Sequence, residues 1–473
     1  MIFNSLTFVV FFAAVLLIDR CVPNWTLRKV VLLAAGYLFY AAWNPAYVWL
    51  LIGSTLINWC LARIVGTPGS QPQAVRTSIL VGAVTLNLAV LCYFKYIDFF
   101  LQNVAVLWSW GGPTLDVAPL SPVLPLAISF CTFEAIAYLV DVYRGDHTPN
   151  DSLVDFGLYI SFFPHLVAGP IVRPNDFLPQ LREPKRATGD QLGWGLFLLT
   201  LGLFEKVILA DGILAPPASY VFGQPHLATT DDAWTGVLAF AFQIYFDFAG
   251  YSTCAIGAAW CLGIELKRNF RFPYAAIGFS DFWRRWHISL SSWLRDYLYR
   301  PLGGSRYGEL LTARNLMLTM LLGGLWHGAA WNFVIWGGLH GMLLVIERSL
   351  RSVLGEVSFG IAGRVLLGAL TFLGVCIGWV FFRAADLETA FTLLTALAGW
   401  PAAETPLLAR RSVQAVLTVV LSTLAVQWWL RESTLEAAIE RAPWWSLAMA
   451  CSVMWVSVAL YGGDEATFLY FQF

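Results

Sequence analysis

The chain is a succession of apolar runs long enough to cross a bilayer, and this restricts its folding more than any other feature. A spanning helix takes about 20 largely apolar residues. Runs of that kind occupy 3–18, 30–43, 46–65, 77–101, 121–142, 192–214, 233–262, 312–330, 331–347, 361–382, 412–430 and 443–461. Hydrocarbon offers no partner to a backbone N–H or C=O, so such runs fold as helices that satisfy themselves. The expected fold class is an all-α polytopic membrane protein with about ten to twelve transmembrane helices. Residues 1–473 form one membrane domain in this reading.

Composition agrees. Hydrophobic residues make up 58% and charged residues 12%, whereas soluble domains carry about 25% charged residues. Twenty-two tryptophans and 17 tyrosines can furnish two interfacial belts. A net charge of −1 gives no electrostatic footprint for a nucleic acid. The eight cysteines are scattered, with no CxxC pair or Cys/His cluster, so neither a disulfide framework nor a zinc site is expected. The opening "MIFNSLTFVVFFAAVLLIDR" has no basic n-region or small-x-small cleavage site and reads as a retained first span. No internal repeat is apparent, which weighs against a transporter built from duplicated halves.

Two segments break the pattern. "LVDFGLYISFFPHLVAGPIV" (153–172) is apolar but interrupted by Pro164, Gly169 and Pro170. It is expected to be re-entrant, which requires protein or water to satisfy the freed backbone groups. Segment 264–314 carries nine of the chain's 29 Lys and Arg residues and is expected to be cytoplasmic by the positive-inside rule. Within it, 281–300 has helical spacing. Trp286, Leu290, Trp293 and Tyr297 share one face, and Arg284, His287, Ser291 and Arg295 another. This predicts an amphipathic helix at the membrane interface. It is either a simple anchor or a support on which Arg284, Arg285 and His287 turn toward an anion.

The chemistry candidates are the polar groups that apolar runs should not contain. His327 lies 13 residues beyond Arg314, or about 20 Å of helix at 1.5 Å per residue. That places it deep in the hydrocarbon, where an ionisable group is by default functional. A neutral imidazole there can act as base or nucleophile near pH 7, or can tie helices together by a hydrogen bond. Gly323, Gly324, Gly328, Ala329 and Ala330 clear space beside it for helix packing or a substrate. His340, 13 residues on, points to a different face of a straight helix and is read as structural or interfacial. Glu134 and Asp247 each require a partner. Glu134 reads as half of a buried structural pair. Asp247, with Tyr245 and Tyr251, can orient a polar cavity. His165 can either line an aqueous cavity or cap the broken segment. No GxSxG, Walker loop or HExxH is present, and no metal is expected.

"SDFWRRWHISLSSWLRDYLYRPLGG" (280–304) and "RNLMLTMLLGGLWHGAAWNFVIWGGLHG" (314–341) closely resemble the membrane-bound O-acyltransferase family, in its bacterial alginate O-acetylase branch. The likeness extends to "NSLTFVVFF" (4–12), "YFKYIDF" (93–99), "LPLAISFCTFEAIAYLVDVYRGD" (124–146), "FFPHLVAGPIVR" (162–173), "YFDFAGYS" (245–252) and "FLYFQF" (468–473). It departs from the usual family pattern at Ala249, commonly serine, and near Thr253, commonly aspartate.

The resemblance implies a ring of helices, with re-entrant and interfacial pieces, around a central tunnel. In it, 264–314 is the cytoplasmic segment and 312–347 carries the catalytic histidine. It implies an O-acetyltransferase of the bacterial inner membrane that takes acetyl groups from cytoplasmic acetyl-CoA. His327 maps to the catalytic histidine and His287 to the family's second histidine. Arg284 and Arg285 would meet donor phosphates, and Asp247, Tyr251 and His165 are further polar tunnel candidates. The acetyl group would pass to a periplasmic or membrane-anchored partner, engaged in part by Tyr470–Phe473, for O-acetylation of an exported polysaccharide, alginate first. Cellulose, peptidoglycan, another surface polymer or D-alanyl transfer are alternatives on the same fold. A transporter without acyl chemistry is the alternative of a different class. Whether His327 carries the acetyl group or activates the acceptor stays open at this level.

Overall fold

A computed structural model describes the chain except residues 1–2, 67–71, 111, 113–116, 150–151, 356–358, 402, 462–468 and 470–473. The described residues form helices joined by turns and loops and contain no strand. Among the described residues, six helices are long and apolar enough to cross a membrane: Pro45–Gly66, Gln73–Lys95, Trp331–Leu354, Ile361–Arg383, Arg410–Trp429 and Trp444–Tyr461. Other apolar stretches form shorter helices, such as Leu6–Cys21, or change helix type midway, as Gly189–Leu203 does on entering the π-helical turns of Phe204–Leu214. Large apolar side chains face outward, including Leu310, Ile361 and Trp444. In lipid these carry no desolvation penalty, because acyl tails are as apolar as leucine.

Two compact units are distinguished by their internal contacts: Met1–Leu196 with Ala255–Lys267, and Phe197–Cys254 with Arg268–Phe473. In the first unit, polar side chains act as interhelical ties. Asn58 and Asn87 exchange amide hydrogen bonds of 3.1 and 2.7 Å between neighbouring helices. Arg28 forks onto both oxygens of Asp19 at 2.6 to 2.8 Å, and both residues are buried.

The expected break at 153–172 is present. Helix Leu153–Ser161 stops at Phe162, a four-residue turn covers Phe163–Leu166, and residues 162–171 are buried. Glu134 closes the break. Its Oε1 accepts the Val172 N–H at 3.0 Å and lies 3.3 Å from His165 Nδ1. The Tyr159 hydroxyl donates to the Val172 carbonyl at 3.1 Å. The backbone N–H and carbonyl of Val172, in the irregular chain after the break, thus find side-chain partners, the condition for such chain at membrane depth. His165 and Glu134 thus stand together, both buried, at the break.

The second unit holds an aromatic core that includes Phe240, Phe242, Trp286, Trp336, Trp379 and Phe382. Against it stand the histidine helix Glu309–His327 and the returning helix Trp331–Leu354, joined through Gly328–Ala330. So short a connection makes the two helices antiparallel neighbours.

Candidate active site

The histidine helix ends at His327, so the imidazole sits at a helix terminus and not mid-span. The four last carbonyls of a helix carry partial negative charge, which favours positive charge developing on a nearby imidazole. His327 is 4% exposed. Its ring packs edge-on against Trp336 with centroids 5.0 Å apart, and against Phe382 at 5.3 Å.

His287 comes close to it. The two imidazole centroids are 6.5 Å apart, although 40 residues separate them in the chain. The continuous interfacial helix expected over 281–300 does not form. Helix Phe279–Arg285 ends, Trp286 is extended, and His287 takes left-handed backbone angles (φ 42°, ψ 55°) before a new helix, Ile288–Leu294, begins. The cause is a competing pairing. The Ile288 N–H donates to the Asn269 carbonyl at 2.8 Å, and the Arg271 N–H to the Arg285 carbonyl at 3.0 Å. Left-handed angles cost a non-glycine residue about 1–2 kcal/mol, and strain of this kind concentrates at functional sites. The break turns Trp286 into the core and aims His287 inward, away from the arginines with which its sequence neighbours grouped it. His287 is 1% exposed, edge-on to Phe248 at 4.5 Å. It lies outside the six spanning helices, and burial alone pushes its imidazole down to about 3. Burial thus favours its neutral form at cellular pH.

A cavity of about 730 Å³ opens at one end among charged side chains and has His327 and Trp336 on its lining. Arg284, Arg295, Arg348 and Arg351 line it against Glu309 and Glu347. Arg348 forks onto Glu309 at 2.7 and 3.0 Å, which joins the start of the histidine helix to the end of the returning helix. Arg351 pairs with Glu347 at 2.6 Å. Such exposed pairs add little stability, and the surplus of arginine leaves the mouth cationic.

The predicted residues divide sharply. Arg284 lines the mouth and is exposed. Arg285, next in sequence, faces the other way. It is buried, donating to Asp281 at 3.0 Å and to the Arg431 carbonyl at 3.1 Å, and it does not line the cavity. Burial pushes the Asp281 carboxyl up, but the Ile277 N–H, the Arg285 hydrogen bond and the charges of Arg285 and Arg431 outweigh it and hold it below the usual range. Asp247 also lies off the cavity. It pairs with Lys206 from the π-helical turns and accepts the Leu469 N–H at 2.9 Å, while Lys206 reaches Asp211 at 2.9 Å and lies over the Tyr251 ring. Its partner is thus the lysine, and Tyr245 packs instead among Phe246, Phe270 and Tyr274. The departure at Thr253 is met by Glu205, whose side chain hydrogen-bonds it.

His165 belongs to the other unit and is absent from this cavity. His340 is wholly buried in a box of Phe282, Trp283 and Trp336, one ring away from His327. Tyr470–Phe473 lie outside the described residues. Sequence reasoning missed Arg348, Arg351 and Trp336 as cavity residues. The available signal was the three-residue connection after His327, which folds the end of the second helix back beside the start of the first.

A buried imidazole on the lining of a cavity that also carries four arginines, with a second buried imidazole beside it, is an arrangement suited to group transfer. The comparisons specify the group. Residues 147–365 match the model of the membrane-bound O-acyltransferase family. The chain is 42% identical to the "Probable alginate O-acetylase AlgI" of Azotobacter vinelandii over 84% of its own length and 78% of the relative's. It is 36% identical to the peptidoglycan O-acetyltransferase of Helicobacter pylori over 84% of this chain and 80% of that one. With the teichoic acid D-alanyltransferase of Bacillus subtilis it shares 28% identity over 68% and 82%. The chain belongs to the membrane-bound O-acyltransferase family. It is a multi-pass membrane acyltransferase, which sets aside the transporter alternative.

Proposed function

We propose that this protein takes acetyl groups from acetyl-CoA on the cytoplasmic side of the bacterial inner membrane and passes them on for O-acetylation of an exported polysaccharide, alginate first. The observation that carries the reading is the single cavity that has four arginines at its mouth and His327 on its inner lining. A donor with phosphates at one end and a thioester at the other suits that gradient from cationic to apolar. The resemblance to alginate O-acetylases supports acetyl as the group and alginate as the polymer. The peptidoglycan and teichoic acid relatives keep those polymers as the second reading.

His327 is the central catalytic residue of this proposal. As general base it removes the acceptor hydroxyl proton while the oxygen attacks the thioester carbonyl. The C–S bond breaks, a C–O bond forms, and the proton leaves with the CoA thiol. As nucleophile, the imidazole nitrogen attacks the thioester carbonyl, the C–S bond breaks and CoA leaves as the thiol. The acceptor oxygen then attacks the acetyl carbon, the C–N bond breaks, and the hydroxyl proton goes to the freed imidazole. His287, 6.5 Å away by ring centroid and neutral, is positioned to share the proton or orient the acceptor. Arg284 acts on the donor side. Arg285 holds the fold of that segment through Asp281 and Arg431. No metal enters the proposal. A periplasmic or membrane-anchored protein that accepts the acetyl group, engaged in part through Tyr470–Phe473, completes the route.

The test is transfer of labelled acetyl from acetyl-CoA by purified protein in lipid. His327→Ala is expected to lower transfer by at least about 10³-fold with the protein still folded. Transfer at the wild-type rate would remove His327 from the chemistry. Label that stays on the protein and is released by hydroxylamine distinguishes the acetyl-imidazole route from general base catalysis.

A further inference from the structure

The histidine helix has a second face with a groove of its own. Leu310, Arg314, Met317 and Leu321 follow one another at steps of four, three and four, so they share one side of it. The returning helix brings Gly338, Met342 and Val345 alongside. The groove they form measures about 960 Å³ and shares no lining residue with the cavity that holds His327. Trp331 and Ile346, both on its lining, lie 15 residues apart on the returning helix. That is about 22 Å, more than one leaflet's share of a hydrocarbon core about 30 Å thick.

Every residue on this lining is apolar except Arg314, which stands where the groove adjoins the basic segment 264–314. Arg314 is exposed, yet its guanidinium is held in place. Nε and Nη2 donate to Asn315 Oδ1 at 3.2 and 2.9 Å, and Nη2 also reaches the Leu302 carbonyl at 3.4 Å. Asn315 is buried and in turn donates to the Gly304 carbonyl at 2.9 Å. Among the described residues no carboxylate pairs with Arg314, and Glu309, five residues earlier, is taken by Arg348. A positioned guanidinium without a counter-ion is a ready partner for phosphate oxygens.

A ligand that matches both features has a phosphate at the interface and an apolar chain running down from it. Bilayer phospholipids have that form. A zwitterionic headgroup would add an ammonium, and no carboxylate lines the groove to receive it. An anionic headgroup meets the arginine alone, as basic pockets between membrane helices do elsewhere. We propose that the groove holds one anionic phospholipid, with its phosphate on Arg314 and an acyl chain between the histidine helix and the returning helix. The lipid bridges the two helices that frame the site, from a face that does not touch the cavity. Its binding is independent of the acyl donor.

Native mass spectrometry of the full-length protein in detergent tests this. Palmitoyl-oleoyl phosphatidylglycerol is titrated against phosphatidylcholine with the same chains. The first phosphatidylglycerol is expected to bind at least about fivefold more tightly. R314Q is expected to bring it to the phosphatidylcholine level. R410Q, which alters an exposed arginine at the start of another apolar helix, is expected to leave the preference intact. Gly338 supplies the chain-side variant. A Cβ there would lie 3.4 Å from Leu321 Cδ2, an ordinary contact, so G338L is expected to keep the lipid-free Tm of the parent and to weaken both lipids. Phosphatidylglycerol should raise the Tm of the parent and of R410Q but not of R314Q, and inorganic phosphate should raise none of them. Equal binding of the two headgroups, a preference that survives R314Q, or one that R410Q also abolishes, overturns the site. Unchanged lipid binding by folded G338L overturns the placement of the chain. Stabilisation by inorganic phosphate equal to that by lipid makes Arg314 a free-anion site, and a second copy of the chain bound in place of lipid makes the groove a dimer contact. Either result overturns the proposal.

Discussion

At the scale of single residues, His287 joins strain, burial and proximity in one side chain. Its left-handed backbone is tolerated best by glycine or asparagine. His287→Asn is therefore expected to keep the fold, with Tm within a few degrees of the parent, while acetyl transfer falls at least about tenfold. The same residue makes a pH prediction. Its folded pKa lies near 3 and its unfolded value near 6.5. Between those values the unfolded chain binds the extra proton, so stability declines as pH falls below about 6.5, at up to roughly 1.4 kcal/mol per pH unit from this group. Melting curves in detergent between pH 4 and 7.5 should show a shallower acid loss for His287→Asn than for the parent. An unchanged acid limb would mean that His287 is not held neutral. The sequence displayed His327 and His287 as candidates because imidazoles are conspicuous in apolar surroundings. It could not display their 6.5 Å approach, because the left-handed turn at His287 depends on Asn269 and Arg271, which are distant in pattern though near in chain.

At the scale of elements, the paired helices Glu309–His327 and Trp331–Leu354 are the frame of the site. Gly324 and Gly337 let their backbones approach, and a Cβ at either would come within 2.2 Å of a carbonyl oxygen of the other helix. Gly324→Ala is expected to destabilise by about 1–3 kcal/mol through overpacking. Gly323→Ala is expected to be neutral or stabilising by up to about 1 kcal/mol through helix propensity. Thermal melts of the two variants side by side check this, and equal losses would contradict the distinction between them. Small residues around His327 were visible in the sequence as a reason for space. Which glycine serves packing and which serves the cavity was not, since both read "GG". Likewise "WRRWH" placed Arg284 and Arg285 together, and only the turn of a seven-residue helix separates a rim residue from a buried brace. The broken segment 153–172 was legible because prolines remove backbone donors wherever they stand.

At the scale of the whole molecule, the class of fold follows from hydropathy alone, because lipid accepts only self-satisfied backbone. Orientation follows from charge. The basic segment 264–314 is expected on the cytoplasmic side, and Tyr307, exposed at its edge, reports on it. A cysteine placed at Tyr307 should react with a membrane-impermeant maleimide in inside-out vesicles and stay unlabelled in intact spheroplasts. The reverse pattern would invert the donor side.

The sequence by itself determined the membrane class, the broken segment and the acyltransferase kinship, and it singled out His327 as the candidate imidazole. Each of these is a property of local composition or of a short ordered motif. Only the tertiary structure decided the rest: that the arginines at 348 and 351 return to the mouth, that Arg285 and Asp247 leave it, and that Gly323 lines the cavity while Gly324 packs against the returning helix. Those facts depend on which helix faces meet and where a helix stops. Both are settled by packing between residues far apart in the chain, which no periodicity within one segment records.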